Sequence, residues 1–222
     1  AKLRKAVDSD LRRSSDRRIM FEIDVAGLAE LEGGKPPHRL AFEPVANVFD
    51  EYRGYQVDRK RPSFCAVTLK HSANPRGVVL TVADDGAGFA NAKDIWTLFR
   101  STAKRSAAGV SGRFNFGEKQ LVALARQATI KTNNITVQFA DGKREVTNHR
   151  EKVVSGTIVE ALMPWSLKDQ EEVRAQLRAV LPPAGLAYSV DGQAVERPAP
   201  RCTVSITLPT VILADGVMRE SL

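Results

Sequence analysis

The chain has 222 residues, 43% of them hydrophobic and 27% charged, which is the composition of a globular chain with one sizeable core and no low-complexity tract. A formal net charge of +7 suits anionic partners such as nucleotides, nucleic acid or acidic lipid, with a plain basic surface as the alternative. Two cysteines, Cys65 and Cys202, exclude a disulfide framework and a cysteine metal site, and both fall in strand-like runs, where buried thiols are expected. No stretch is apolar for long enough to cross a membrane and no signal peptide is visible, so a cytoplasmic domain that does not engage membranes is expected.

Residues 1–18 are polar and basic, with Arg12, Arg13, Arg17 and Arg18 around Ser14-Ser15, and read as an N-terminal arm. A first strand is predicted over 19–25, followed by a loop at Gly33-Gly34-Lys35-Pro36-Pro37. Phe42, Val45, Ala46 and Phe49 then recur at helical spacing, with Glu43, Asn47 and Asp50 on the opposite side. Pro44 removes a helical hydrogen bond, so this helix either starts at Pro44, with Glu43 near its cap, or is kinked there. The β-rich runs 64–70 and 78–83 flank a turn signal at Asn74-Pro75-Arg76-Gly77 and are expected to pair antiparallel. A short helix is expected over 94–100, and residues 101–112 read as a long functional loop.

After Gly117 a helix is predicted through Leu121, Leu124, Ala125 and Ala128. Three strands should follow, two of them joined at Asp141-Gly142 and the third over 157–163. Ser166 and Asp169 form a capping-box start to a helix carrying Val173, Leu177, Val180 and Leu181, which Pro182-Pro183 should end. A second hairpin is expected at Asp191-Gly192. The domain is thus drawn over 19–200, and the apolar run 204–213 reads as the start of a second domain, truncated within 201–222.

The chemistry concentrates in short motifs. In Glu43-Pro-Val-Ala-Asn47, the first and last side chains are one helical turn apart and share a face. Glu43 is a candidate general base for a water, and Asn47 is a neutral oxygen ligand suited to Mg2+. Asp50, a further turn along, can hold a metal-bound water or orient a lid. In Asp84-Asp85-Gly86-Ala87-Gly88, the Asp84 carboxylate can accept from the adenine amino group and rejects a guanine carbonyl. Gly86 and Gly88 let the backbone bend, and Gly88 lets it approach the ring. Gly112-Arg113-Phe114-Asn115-Phe116-Gly117 enters the next helix, whose unpaired N–H groups favour phosphate. The 95–117 stretch carries Arg100, Lys104, Arg105 and Arg113 and no acidic residue, which suits a positive lid over a triphosphate. Thr157, after Gly156 at a strand start, can bond to adenine and to Asp84, directly or through water.

The order and spacing of these motifs resemble the GHKL superfamily of ATPases, which takes in DNA gyrase B subunits, the large heat-shock chaperones, sensor histidine kinases and MutL. Glu43, Asn47 and Asp50 match the family's first box. Asp84, Gly86 and Gly88 match its second, and Gly156-Thr157 its late Gly-Thr box. Gly112, Phe114, Asn115, Phe116 and Gly117 match the glycine box imperfectly, with Asn115 where many members have glycine. The resemblance covers about residues 20–190. It implies an α+β fold, a two-layer α/β sandwich of the Bergerat type with a mixed, mostly antiparallel sheet and helices on one face. It implies ATP and Mg2+ as ligands, a lid over ATP and self-association on ATP binding through the N-terminal segment. Glu43 favours the hydrolytic branch, in which a lysine from a following domain reaches the terminal phosphate, so weak or absent turnover is expected of the isolated piece. Three functions follow: an ATP-gated clamp acting on DNA, a chaperone-like ATPase acting on proteins, or a nucleotide-binding module without turnover.

Overall fold

The computed structural model describes residues 33–54, 59–97, 117–202, 210–214 and 217–221, with the single positions 27 and 30. The arm at 1–18, the strand expected over 19–25 and the loop bearing Lys104, Gly112, Phe114, Asn115 and Phe116 lie outside the described residues.

Helix α1 runs Pro37–Arg53. A proline at its first turn costs nothing, because the N–H there has no helical partner. Gly54 ends it in the left-handed conformation, its N–H bonded to the Glu51 carbonyl. The helix therefore does not start at Pro44, which lies buried in its interior and leaves the Leu40 carbonyl without its usual donor. Glu43 sits inside the helix rather than at its cap. The buried stripe is Leu40, Ala41, Pro44, Val45, Val48 and Phe49, while Phe42 and Ala46 flank it only partly buried.

Strands β1 (Phe64–Ala73) and β2 (Arg76–Asp84) pair antiparallel along their whole length. A 3-10 turn, Ala92–Ile95, stands at the start of the helix expected over 94–100, of which 98–100 lie outside the described residues; Asn91 caps it by accepting from the Lys93 N–H. Helix α2, Gly117–Leu124, is shorter than its apolar spacing suggests. Ala128 belongs instead to β3 (Gln127–Thr132), where Ala128, Ile130 and Thr132 are buried in alternation. The period-2 pattern wins there because the Arg126 N–H pairs with the Leu162 carbonyl and commits the chain to the sheet. Strands β4 (Ile135–Ala140) and β5 (Lys143–Asn148) form the hairpin turning at Asp141-Gly142, and β6 spans Thr157–Met163. The sheet thus has one more strand in this region than the sequence suggested.

Helix α3, Leu167–Arg178, opens on the expected capping box between Ser166 and Asp169. It stops short of the prolines: Val173 and Leu177 are buried, but Leu181 is 52% exposed. Strands β7 (Ala187–Val190) and β8 (Gln193–Ala194) make the hairpin at Asp191-Gly192. Strands β9 (Thr210–Ala214) and β10 (Val217–Ser221) pair with each other. Cys65 is buried in β1, whereas Cys202 is exposed and outside any strand, because the run following Ala194 is rich in proline and charge.

The main sheet has eight strands in the order β5-β4-β3-β6-β2-β1-β7-β8, and among its pairs only β1 with β7 is parallel. One face carries the apolar alternation: Cys65, Val67 and Leu69; Val78, Leu80 and Val82; Val159, Ala161 and Met163; Tyr188 and Val190. These side chains share one core with α1, α2 and α3, which cover that face. The other face carries Thr68, Thr81, Thr129, Lys131 and Glu160 and is more exposed. This is the expected α+β sandwich, with a mostly antiparallel sheet and helices on one side.

Candidate functional site

Strand register sets five residues in one row across an end of the sheet. Thr132 pairs with Thr157, Thr157 with Asp84, Asp84 with Cys65, and Cys65 with Tyr188. Paired residues project to the same side of a sheet, so this row faces the helices. Asp84 is the last residue of β2; beyond it the chain leaves the sheet as a loop.

The Asp84 carboxylate accepts the Gly86 N–H at 2.8 Å and the Thr157 N–H. Burial pushes this carboxyl up to about 6. The Gly86 bond pulls it back, the charges of Glu51 and Asp85 add to the rise, and the Thr157 bond opposes it. A carboxylate that remains ionised near neutrality in this setting gains from any ligand N–H that reaches it.

The loop after Asp84 is gripped on both sides. Asp85 accepts from the Ser63 N–H at 2.6 Å, from the Ser63 hydroxyl at 2.9 Å and from Lys60. Burial alone would raise the Asp85 carboxyl, but these bonds, with the Phe64 N–H, outweigh it and hold it below its ordinary range. On the far side the Thr132 hydroxyl accepts the Phe89 N–H at 3.0 Å, and the Asn133 amide donates to the Ala87 carbonyl at 3.1 Å. The Gly88 carbonyl accepts from Arg59. Gly156, immediately before Thr157, has φ +91°, and a Cβ there would lie 2.3 Å from the Asp84 carbonyl oxygen. Only glycine lets these backbones approach so closely.

Helix α1 packs on β1 and β2. Glu43 and Asn47 are partly buried, whereas Asp50 is completely buried and accepts from Arg53 at 3.1 Å. The polar side of this helix is therefore not a solvated face. Glu51, four residues after Asn47, lies close enough for its charge to act on Asp84. The Glu43 carboxylate rests on the backbone of Gly117 at the start of α2: a Cβ at Gly117 would lie 1.9 Å from Glu43 Oε2. Glu43 also borders a groove of about 340 Å3 between α1 and α3. Behind it, α2 buries Lys119 and Gln120, and Gln120 accepts from Lys35 at 2.9 Å.

Among the described residues no group of three or more His, Cys, Asp or Glu side chains converges as a metal cage. Asn47 offers one amide oxygen beside Glu43, a donor set that fits a magnesium ion whose other ligands are waters and phosphate oxygens.

The structure thus brings Asp84, Gly86, Gly88 and Thr157 together in one loop-and-row unit, and Glu43 together with Gly117. Lys104, Gly112, Phe114, Asn115 and Phe116 are not among the described residues. Sequence reasoning missed Thr132, Asn133, Glu51 and Arg59. The repeat Glu43, Asn47, Glu51 at intervals of four is a signal for Glu51; nothing in the sequence marks Arg59.

Solved structures share this fold. One is the ATPase region of Saccharomyces cerevisiae topoisomerase II bound to ICRF-187 (dexrazoxane), at TM-score 0.54 and 12% identity, covering 72% of this chain and 48% of that one. Another is the ATPase region of the same topoisomerase, at TM-score 0.54 and 11% identity with the same coverage. This chain spans about half the length of those structures. No protein-family model matches the sequence, and no curated protein matches it. The fold is the one that these two ATPase regions have, in agreement with the sandwich that the sequence motifs imply.

Proposed function

We propose that the chain binds ATP in the cleft over the Thr132–Thr157–Asp84 row and hydrolyses it with Mg2+, as the ATPase module of a larger clamp that closes by self-association and acts on DNA. The observation that carries this reading is the half-buried Asp84 carboxylate, held by two backbone N–H groups at the mouth of a glycine-bent loop. Asp84 accepts from the adenine amino group, with Thr157 beside it; the missing side chain at Gly88 makes room for Thr132 and Asn133, which a Cβ there would meet at 2.5 and 2.6 Å, rather than for the ring. Magnesium, when bound, neutralises phosphate charge, and Asn47 supplies its protein oxygen. Glu43 takes the proton from the attacking water, and Asp50 orders that end of the helix. Gly112, Phe114, Asn115, Phe116 and Gly117 form the phosphate loop, and Lys104 adds positive charge over the tail. The arm at 1–18 is the self-association element, and 201–222 leads into the next domain.

DNA is favoured as the substrate by the net charge of +7 and by the likeness to the ATPase region of a topoisomerase. Among the described residues no helix is long and apolar enough to cross a membrane, which fits a cytoplasmic machine. Pro44, directly after Glu43, favours one alternative: nucleotide binding without turnover.

Calorimetric titration with ATP and GTP, followed by phosphate release with and without DNA, tests the reading. ATP should bind in preference to GTP, and DNA should raise hydrolysis by an amount that fades with salt. Hydrolysis indifferent to DNA and salt supports a chaperone-like ATPase. Tight binding without hydrolysis in the full-length protein supports the module without turnover. Equal affinity for ATP and GTP overturns the role of Asp84.

A further inference from the structure

Three consecutive cations, Arg59, Lys60 and Arg61, precede β1 beside the cleft. A basic run next to a nucleotide site suggests phosphate contact, but these side chains turn to the protein. Lys60 bonds to the carbonyl and the carboxylate of Asp85. The Arg61 guanidinium lies against Gly54 at the end of α1. Arg59 Nε pairs with Glu51 Oε1 at 3.0 Å, and its Nη2 donates to the Gly88 carbonyl.

We propose that Arg59 is a positioning residue for nucleotide binding: one guanidinium ties the adenine-recognising loop to the helix that carries Glu43 and Asn47. The inference rests on the ATP reading above and names what sets the geometry of that site. Glu51 lies four residues after Asn47 on α1, and Gly88 lies four residues after Asp84. One guanidinium therefore links the two elements, by a hydrogen bond from Nη2 to the Gly88 carbonyl and by an ion pair, without a hydrogen bond, between Nε and Glu51 Oε1. Arg59 and Glu51 expose only 21% and 15% of their side chains, so the pair is largely shielded from water and holds its geometry better than a surface pair. Thr132 and Asn133 hold the same loop from the opposite side. Without Arg59 the loop keeps the Thr132 and Asn133 contacts and the Asp85 grip on Ser63 and Lys60, but loses its bond at the Gly88 carbonyl. A lysine reaches one partner but not both, because it lacks the planar fork.

The test measures ATP and ADP affinity of wild type, Arg59→Ala, Arg59→Lys, Glu51→Gln and the Arg59→Ala/Glu51→Gln double variant, alongside melting of the empty proteins. Arg59→Ala should weaken ATP and ADP by the same factor, about tenfold. The adenine loop serves both ligands, whereas Asn47→Ala should weaken ATP more than ADP. KM for ATP should rise with kcat at saturation unchanged within about twofold. Arg59→Lys should recover only part of the loss, and the double variant should bind no worse than Arg59→Ala, since both changes cut one linkage. If Arg59→Ala does not fold, Glu51→Gln, which keeps the shape and removes the charge, carries the same test. Wild-type affinity in Arg59→Ala and Glu51→Gln, with wild type binding ATP, overturns this proposal alone. A wild type that binds neither nucleotide overturns the ATP reading and this proposal with it.

Discussion

Asp84 and Thr157 stand opposite each other at the end of the β2–β6 pairing, and the Thr157 N–H bonds to the Asp84 carboxylate. The arrangement keeps a charge in a place that resists it, because burial outweighs both backbone bonds. Asp84→Asn removes that charge while keeping the shape. The empty protein should gain on the order of 1 kcal/mol, seen as a rise of about 2–4 °C in Tm. The same variant should lose ATP affinity by at least about a hundredfold, because its amide presents an N–H where the adenine amino group needs an acceptor. Calorimetry and thermal melting check the two halves; a variant that binds ATP normally removes Asp84 from adenine recognition.

The pH dependence follows from the same group. Asp84 rises from its ordinary 3.8 to about 6, so it is charged above that point and increasingly neutral below it. Recognition needs the charged form, so ATP affinity should fall as pH drops through 6 and be about tenfold weaker at pH 5 than at pH 7.5. Inorganic triphosphate, which carries the same tail without the base, should not show this loss. The stability of the empty protein takes the opposite sign: the contribution of Asp84 is fully present below its unfolded value and is lost as pH rises through about 6. Asp85 and Asp169, both held low by hydrogen bonds, act in a lower window, and their stabilisation is lost only on stronger acidification. Affinity measured across pH 5 to about 8 checks the first sign, and denaturant melts of the empty protein check the second.

Gly156 marks where two backbones beside Asp84 have no room to spare. Its φ of +91° and a Cβ only 2.3 Å from the Asp84 carbonyl oxygen set backbone against backbone. Neither side can rotate away as a side chain would. Gly156→Ala should cost roughly 2–4 kcal/mol and displace the Asp84 loop, so stability and ATP affinity should fall together. A Gly156→Ala protein with wild-type melting and affinity contradicts the close approach.

How much of this was legible in the sequence depends on the range of the interaction. The β1–β2 and Asp191-Gly192 hairpins and the Ser166 capping box are set by neighbours in the chain, and their residues announce them. Ala128 was misread because its spacing from Leu121 and Leu124 suits a helix while its alternation with Ile130 suits a strand; only the partner strand β6 decides between them. Asp84, Gly86, Gly88 and Thr157 can be named from the sequence because a short motif carries each one. Thr132 and Asn133 carry no motif and reach the site through strand register. Arg59 reaches it across the gap between α1 and β1, which no local pattern encodes. The helical wheel puts Asp50 opposite the apolar positions, yet it is completely buried, because what encloses a side chain is a tertiary property that the wheel does not contain.

Gly117 offers a test that separates binding from chemistry. A Cβ at this position would sit 1.9 Å from Glu43 Oε2, and unlike the contact at Gly156 the obstacle is the far end of a flexible side chain. Gly117→Ala can therefore be accommodated by swinging the carboxylate aside. Its stability should change by no more than about 1 kcal/mol, since alanine also favours a helix start over glycine. Adenine recognition involves neither Glu43 nor Gly117, and alanine keeps the backbone N–H that position 117 offers to phosphate, so ATP affinity should stay within about threefold of wild type. Hydrolysis should fall steeply, because a general base displaced by an ångström or more no longer reaches the water; a loss of about a hundredfold in kcat is expected. Glu43→Ala should show the same pattern with a deeper loss, roughly a hundredfold to ten-thousandfold. Phosphate release under single-turnover conditions, measured on the full-length protein beside ATP affinity, reads both variants. Normal turnover in Gly117→Ala and in Glu43→Ala would assign the base to another side chain and leave the Glu43–Gly117 contact a matter of packing.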